Sequence, residues 1–217
     1  FNTCAFCVSG GEKPVRTLSI EAIRERLQII HQHGIKNVRV LDRTFNYNTR
    51  RAKELLELFL EYHPDIRFHL EIHPALLSEE LKEELKHLPE GLLHLEAGIQ
   101  SLREPVLEKS RRMGKLTDAL EGLKFLCSLP NMETHADLIA GLPLYHLSEI
   151  FEDIRVLAAY GAGEIQLESL KLLPGTEMRR RAEELGIQYS PLPPYEVLQT
   201  REVNVSELQT ARQLSRL

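Results

Sequence analysis

The sequence has no basic excess, no long apolar run and few cysteines, and each shortage removes a class of function. Its 217 residues carry 27 basic and 32 acidic side chains, a formal net charge of −5. A general nucleic-acid binder normally carries a basic surplus. No apolar stretch reaches the roughly 18 residues of a membrane span. No signal-peptide pattern opens the chain, which begins at Phe1. The three cysteines, Cys4, Cys7 and Cys127, are an odd count, which argues against a disulfide scaffold. No G-x-G-x-x-G and no G-x-x-x-x-G-K follows a strand-like segment, which lowers the case for nicotinamide or nucleoside-triphosphate chemistry.

What is present is an ordinary globular composition, 42% hydrophobic, in an alternating strand and helix pattern. Strand-like runs lie at NVRVLDRTF (37–45), IRFHLEIHP (66–74), LLHLEAGIQS (92–101), ETHADLIAGLP (133–143) and EIQLESLKLLPGT (164–176). Amphipathic helical segments separate them, the first opened by Ser19 as N-cap and closed by Gly34. Residues 105–129 hold one or two helices, and TEMRRRAEELG (176–186) reads as a short one. Regular β–α alternation implies a parallel sheet, either an open doubly wound sheet or a partial barrel. In both, ligands bind at the carboxyl ends of the strands. Glu71, Glu96, Gln100, Asp137 and Gly141 are therefore expected on one concave face near Cys4 and Cys7.

Cys127 sits in the apolar helical stretch GLKFLCSLP and reads as a packed core residue. Cys4-x-x-Cys7 alone is ambiguous. A thioredoxin-like pair would open a helix directly after a strand, whereas the helix here begins near Ser19. A zinc knuckle needs a second ligand pair, and there is no second C-x-x-C. An iron–sulfur cluster is the third reading, although two thiolates are few for one.

Read with the strand ends, the loop resembles the radical S-adenosylmethionine (SAM) signature C-x-x-x-C-x-x-C. Cys4 and Cys7 match its second and third cysteines, the first would fall just before Phe1, and Phe6 fits the aromatic before the last. The stretches VLDRTFNYN (40–48), HLEIHP (69–74), LEAGIQS (95–101), HADLIAGLP (135–143), LKLLPGT (170–176) and PPYEVLQT (193–200) resemble those of radical SAM proteins with an N-terminal cobalamin-binding domain and a C-terminal extension. That group is often described as similar to oxygen-independent coproporphyrinogen III oxidase.

The resemblance implies a partial parallel (β/α)6-type barrel over residues 1–188, its first strand missing or truncated, with the extension starting at 189–217 and the cobalamin-binding domain absent from this chain. It implies a [4Fe–4S] cluster and SAM as cofactors, with cobalamin supplied through the absent domain if used. SAM is cleaved by the reduced cluster to start radical chemistry on an unidentified substrate. It also implies an electron donor such as flavodoxin or ferredoxin and a cytoplasmic setting. By the same resemblance Cys4 and Cys7 are metal ligands, and Glu71 with Glu96 or Gln100 binds the SAM amino group or ribose. Arg111, preferred slightly over Arg112, meets the SAM carboxylate. Ile139 and Gly141 pack the adenine, flanked by Leu167. Where most members carry a Gly-Gly-Glu-type segment, this chain has Asp42-Arg43-Thr44-Phe45-Asn46, and no general role attaches to Asp42, Arg43 or Asn46. Without its cluster the loop from Phe1 to about Pro14 is expected to be poorly ordered, having few apolar residues to bury.

Two other readings compete. One is a barrel metal hydrolase using His69, Glu71, His73 and Asp137; the other is a non-catalytic barrel scaffold that binds a partner protein.

Overall fold

The computed structural model describes residues 4–8, 16–42 and 44–215. Five strands, β1 (Asn37–Val40), β2 (Arg67–Ile72), β3 (Leu93–Gln100), β4 (Glu133–Ala140) and β5 (Glu164–Ser169), form one sheet in the order 1-2-3-4-5. Every neighbouring pair is parallel. An order that never reverses, with right-handed crossovers, keeps the connecting helices on one face of the sheet. This is the wall of a partial (β/α) barrel, and it excludes the doubly wound alternative.

The side-chain period of two then sorts the strands into a dry face and a wet one. On the dry face, Phe68, Leu70, Leu95, Ala97, Ala136 and Leu138 are all at most 1% exposed. They pack against the helices α2 (Thr49–Leu60), α3 (Glu79–His87), α5 (Leu116–Cys127) and α6 (Leu147–Ala159). Phe59 of α2 stacks on Phe68 at a ring separation of 4.0 Å. Large apolar residues therefore alternate with polar ones, and the polar set turns to the barrel interior.

Helix boundaries follow local chemistry. Ser19 accepts a hydrogen bond from the Ala22 amide at the start of α1 (Ile20–Gln32), and Ser78 does the same for Leu81 at the start of α3. The segment 105–129 resolves into α4 (Glu104–Lys109) and α5. The stretch read as one short helix at 176–186 is two single turns, α7 (Glu177–Arg180) and α8 (Ala182–Leu185). Cys127 is half-buried at the end of α5 and packs against the core.

Beyond β5 the chain returns onto the sheet. The antiparallel pair β6 (Gln188–Tyr189) and β7 (Val197–Gln199) precedes α9 (Val205–Leu214), which packs on β5 and α6. Among the described residues no helix is long and apolar enough to cross a membrane.

Candidate functional site

The strands end in short connections that carry polar side chains to one rim. Gly98 and Gln100 lie at a register shift between β3 and β4, and Gln100 adopts φ +73°. Such a bulge re-aims a side chain. A Cβ on Gly98 would stand 2.6 Å from the Gln100 side-chain amide nitrogen, so glycine leaves room for that amide to fold over the strand, with Arg112 in ordinary contact at 3.5 Å. The cavity formed here is lined by Glu71, His73, Glu96, Gln100, Arg112 and Asp137, with Thr44, Ile72 and Gly98.

Arg112 joins this cavity to the cysteine loop. One guanidinium nitrogen lies 3.9 Å from the Cys4 sulfur, and the other donates to the Gly98 carbonyl. The loop is seated by backbone bonds on both flanks. The Ala5 amide donates to the Ser110 carbonyl at 2.9 Å, and the Met178 amide donates to the Ala5 carbonyl at 2.8 Å. Cys4 and Ala5 are buried. Residues 1–3 and 9–15 of that loop, and Arg43, lie outside the described residues. Burial pushes the Cys4 thiol up, and the Arg112 charge partly opposes it.

Asn46, to which the sequence assigned no role, is 1% exposed and clamps the site. Its amide donates to the His73 carbonyl and its oxygen accepts from the His73 amide, both at 2.9 Å. The end of β1 is thereby tied to the end of β2. His73 follows β2 in this clamp, buried, and its imidazole is pushed down to about 4 by desolvation and the nearby Arg112 charge.

Deeper in the barrel lies a layer of imidazoles. The triplet His-Leu-Glu occurs at 69–71 and again at 94–96 in matched register on β2 and β3. His135 sits beside Glu96 on β4. Glu96 accepts from His69 at 2.7 Å, pairs with Arg39 and lies 3.7 Å from His135. Those partners, His135 foremost, hold its carboxyl well below the usual range. Burial, reinforced by the charge on Glu96, pushes the Asp137 carboxyl up. One of these adjacent acids therefore stays ionised and the other favours its proton.

Several expected positions need correction. Arg111 does not face the cavity; it pairs with Glu177 at 2.5 Å, and its neighbour Arg112 points inward. Consecutive residues in a turn diverge, and Arg111 at φ +53° turns outward. Leu167 pairs with Leu138 and packs in the helix-side core, because it is out of phase with the inward-facing Gln166 and Glu168. Ile139, partner of Glu168, is on the inner face. Gly141 is at φ +92°, and a Cβ there would touch Leu170, Val197 and Leu208 of the returning C-terminal segment, so its close approach is to the protein itself. Of the set His69, Glu71, His73 and Asp137, the last three line the cavity, but the four are not within metal-ligand reach of one another. The group within metal-ligand reach among the described residues is His69, Glu96 and His135. Strand positions two apart are stacked along the barrel axis, whereas register neighbours lie side by side. The repeated His-Leu-Glu triplet was the available signal for this layer.

The comparisons agree with this architecture. Residues 1–157 match the model of the Radical SAM superfamily. No curated protein sequence is significantly similar to the chain. Among solved structures, the cobalamin- and [4Fe–4S]-bound radical SAM methyltransferase TsrM from Kitasatospora setae superposes with a TM-score of 0.71 at 19% identity, covering 98% of this chain and 44% of that one. Coproporphyrinogen III oxidase HemN from Escherichia coli gives 0.63 at 17% identity, covering 99% and 50%. The cobalamin-dependent radical enzyme OxsB gives 0.64 at 13%, covering 97% and 38%. The chain thus spans half or less of the length of each. With a parallel barrel wall, a cysteine loop beside its polar rim and a family match over residues 1–157, this chain belongs to the radical SAM superfamily.

Proposed function

We propose that the rim cavity binds SAM beside a [4Fe–4S] cluster held in part by Cys4 and Cys7, and that the barrel starts radical chemistry on a substrate bound inside it. The observation that carries the reading is Arg112, whose guanidinium spans the Cys4 sulfur and the Gly98 carbonyl at the cavity edge. The donor set fits the group: two cysteine sulfurs lie in one short loop, and a fixed cation and a carboxylate lie within the adjoining cavity.

When bound, the cluster supplies the electron that cleaves SAM, and SAM supplies the hydrogen-abstracting radical. The chain's own residues bind, orient and shield. Arg112, rather than Arg111, offers a planar fork suited to the SAM carboxylate. Glu71 at the end of β2 can accept from the amino group, and Gln100 can reach a ribose hydroxyl. Glu96 is already engaged by Arg39 and His69, so Gln100 is the better candidate on β3. Ile139 supplies an apolar inner-face contact for the adenine. The apolar layer behind the sheet closes the rim against water from that side.

TsrM is a methyltransferase and HemN an oxidase on a similar barrel, so a transferase and an oxidoreductase outcome both suit this architecture. Residues 189–217 would begin a C-terminal extension, and cobalamin would come from an N-terminal domain outside this chain. A flavodoxin- or ferredoxin-type donor and a cytoplasmic setting complete the proposal.

The test is SAM cleavage. The intact protein, reconstituted anaerobically with iron and sulfide and then reduced, should release 5′-deoxyadenosine. Cys4→Ala and Cys7→Ala should abolish the release. Release that persists in both variants would sink the proposal.

A further inference from the structure

We infer that His69, Glu96 and His135, with Asp137 beside them, form a binding site for one divalent first-row transition-metal ion, held by nitrogen and oxygen donors and separate from the cysteine site. The three donors come from β2, β3 and β4, and their ligand atoms lie within 4.8 Å of one another.

The spacing favours an ion over a hydrogen-bonded cluster. His135 Nε2 is buried and makes no hydrogen bond, and its side chain is only 5% exposed. The same holds for Asp137 Oδ1, which is buried and unbonded. These atoms are 3.4 Å apart, and His135 Nε2 is 3.7 Å from Glu96 Oε2. Ligands about 2.0–2.2 Å from a tetrahedral ion stand roughly 3.3–3.6 Å from each other. The two gaps therefore suit edges of a coordination shell and are long for hydrogen bonds. The His69–Glu96 contact, 2.7 Å, has to open by less than an ångström, and Arg39 has to release Glu96.

The surroundings supply the support that a metal-bound imidazole needs. His94 Nε2 lies 2.7 Å from His135 Nδ1, so His135 can donate its Nδ1 proton there and present Nε2 to the ion. His94 Nδ1 now accepts from Arg67 at 3.2 Å; when the ion binds, His94 takes its Nδ1-protonated form, Arg67 releases that nitrogen, and Glu133, 3.8 Å away, stands ready to accept from it. Arg39 now neutralises Glu96, and it is half-exposed and 3.8 Å from Glu71, so it can pass to that carboxylate when an ion arrives. Imidazole and carboxylate donors together select zinc, iron, cobalt or nickel over magnesium and calcium. Glu96 and Asp137 both line the rim cavity, so the ion would sit in its wall, within reach of a bound oxygen ligand.

The experiment uses the intact protein carrying Cys4→Ser and Cys7→Ser, so that the cluster and thiolate binding cannot contribute, with Co2+ as the probe. One Co2+ per chain is expected, with a visible d–d spectrum of nitrogen and oxygen ligation and no thiolate charge-transfer band. His135→Ala should weaken binding by about a hundredfold or more, and His94→Ala by about 10- to 100-fold as an orienting partner. Exposed His33→Ala should leave it unchanged. His69→Ala, at a more accessible side chain, repeats the ligand test should His135→Ala fail to fold. Absence of Co2+ binding in the Cys4→Ser/Cys7→Ser protein, or binding that survives His69→Ala with full affinity, overturns the inference. Neither result bears on the cysteine site, which the Cys4→Ala and Cys7→Ala cleavage assay tests by itself.

Discussion

Gly122→Ala sets two known effects against each other at one position. Gly122 lies inside α5, where glycine is normally the worse choice by about 0.5–1 kcal/mol relative to alanine. Propensity alone therefore predicts a more stable protein. The structure predicts the reverse. A Cβ at Gly122 would stand 2.1 Å from the Pro74 carbonyl oxygen and 2.7 Å from its carbon, both backbone atoms. Pro74 opens the single turn Pro74–Leu76 directly after His73, and that turn packs along α5. Because no flexible side chain can swing away, α5 and the turn must part by about an ångström. Overpacking of this kind costs about 1–3 kcal/mol or more, which outweighs the propensity gain. The net expectation is a loss of about 1–2 kcal/mol, read as a lower urea midpoint at unchanged slope. The shift would also displace His73 and the cavity wall, so SAM affinity should fall with stability. A Gly122→Ala protein as stable as the parent, or more so, would refute the close approach of α5 to the β2 rim.

Three further outcomes follow from other parts of the molecule. Asp153→Ala removes a buried acceptor that takes hydrogen bonds from Tyr145 at 2.6 Å, the Leu102 amide at 2.8 Å and Arg103 at 2.9 Å; it should cost about 3–5 kcal/mol by denaturant titration, and a loss under 1 kcal/mol would contradict the network. Arg112→Met should weaken SAM binding by about ten- to hundredfold in equilibrium dialysis, while Arg111→Met leaves it nearly unchanged; the opposite ranking would return the role to Arg111. Because His73 is held neutral to about 4, the unfolded chain takes up its proton first as pH falls. The stability that His73 contributes is therefore full above about 6.5 and lost between there and about 4, a drop of about 3 kcal/mol. His73→Gln should remove that acid-side slope, and an unchanged slope would show that other groups cause it.

Much of the fold was legible because its signals are local. Ser19 and Ser78 marked helix starts, and the apolar alternation through Phe68, Leu70 and Ile72 marked a strand with one dry face. Strand order became definite only in three dimensions. Proximity of Glu71, Glu96, Gln100 and Asp137 followed from strand-end position alone. Facing did not. Leu167 was placed at the right strand but on the wrong side, because the period of two was not carried through β5. Arg111 and Arg112 are adjacent in a turn, and no sequence pattern there tells which one points inward. The His69, Glu96 and His135 layer depends on cross-strand register, which a single chain segment does not carry.

The central claim is that Cys4 and Cys7 hold a cluster beside the Arg112 cavity. The most direct measurement is iron and acid-labile sulfide content of the anaerobically reconstituted intact protein, alone and as the Cys4→Ala/Cys7→Ala double variant. The account predicts about four irons and four sulfides per chain in the parent. It predicts near-complete loss in the double variant, with the fold retained by circular dichroism. An equal iron and sulfide content in both proteins would contradict it.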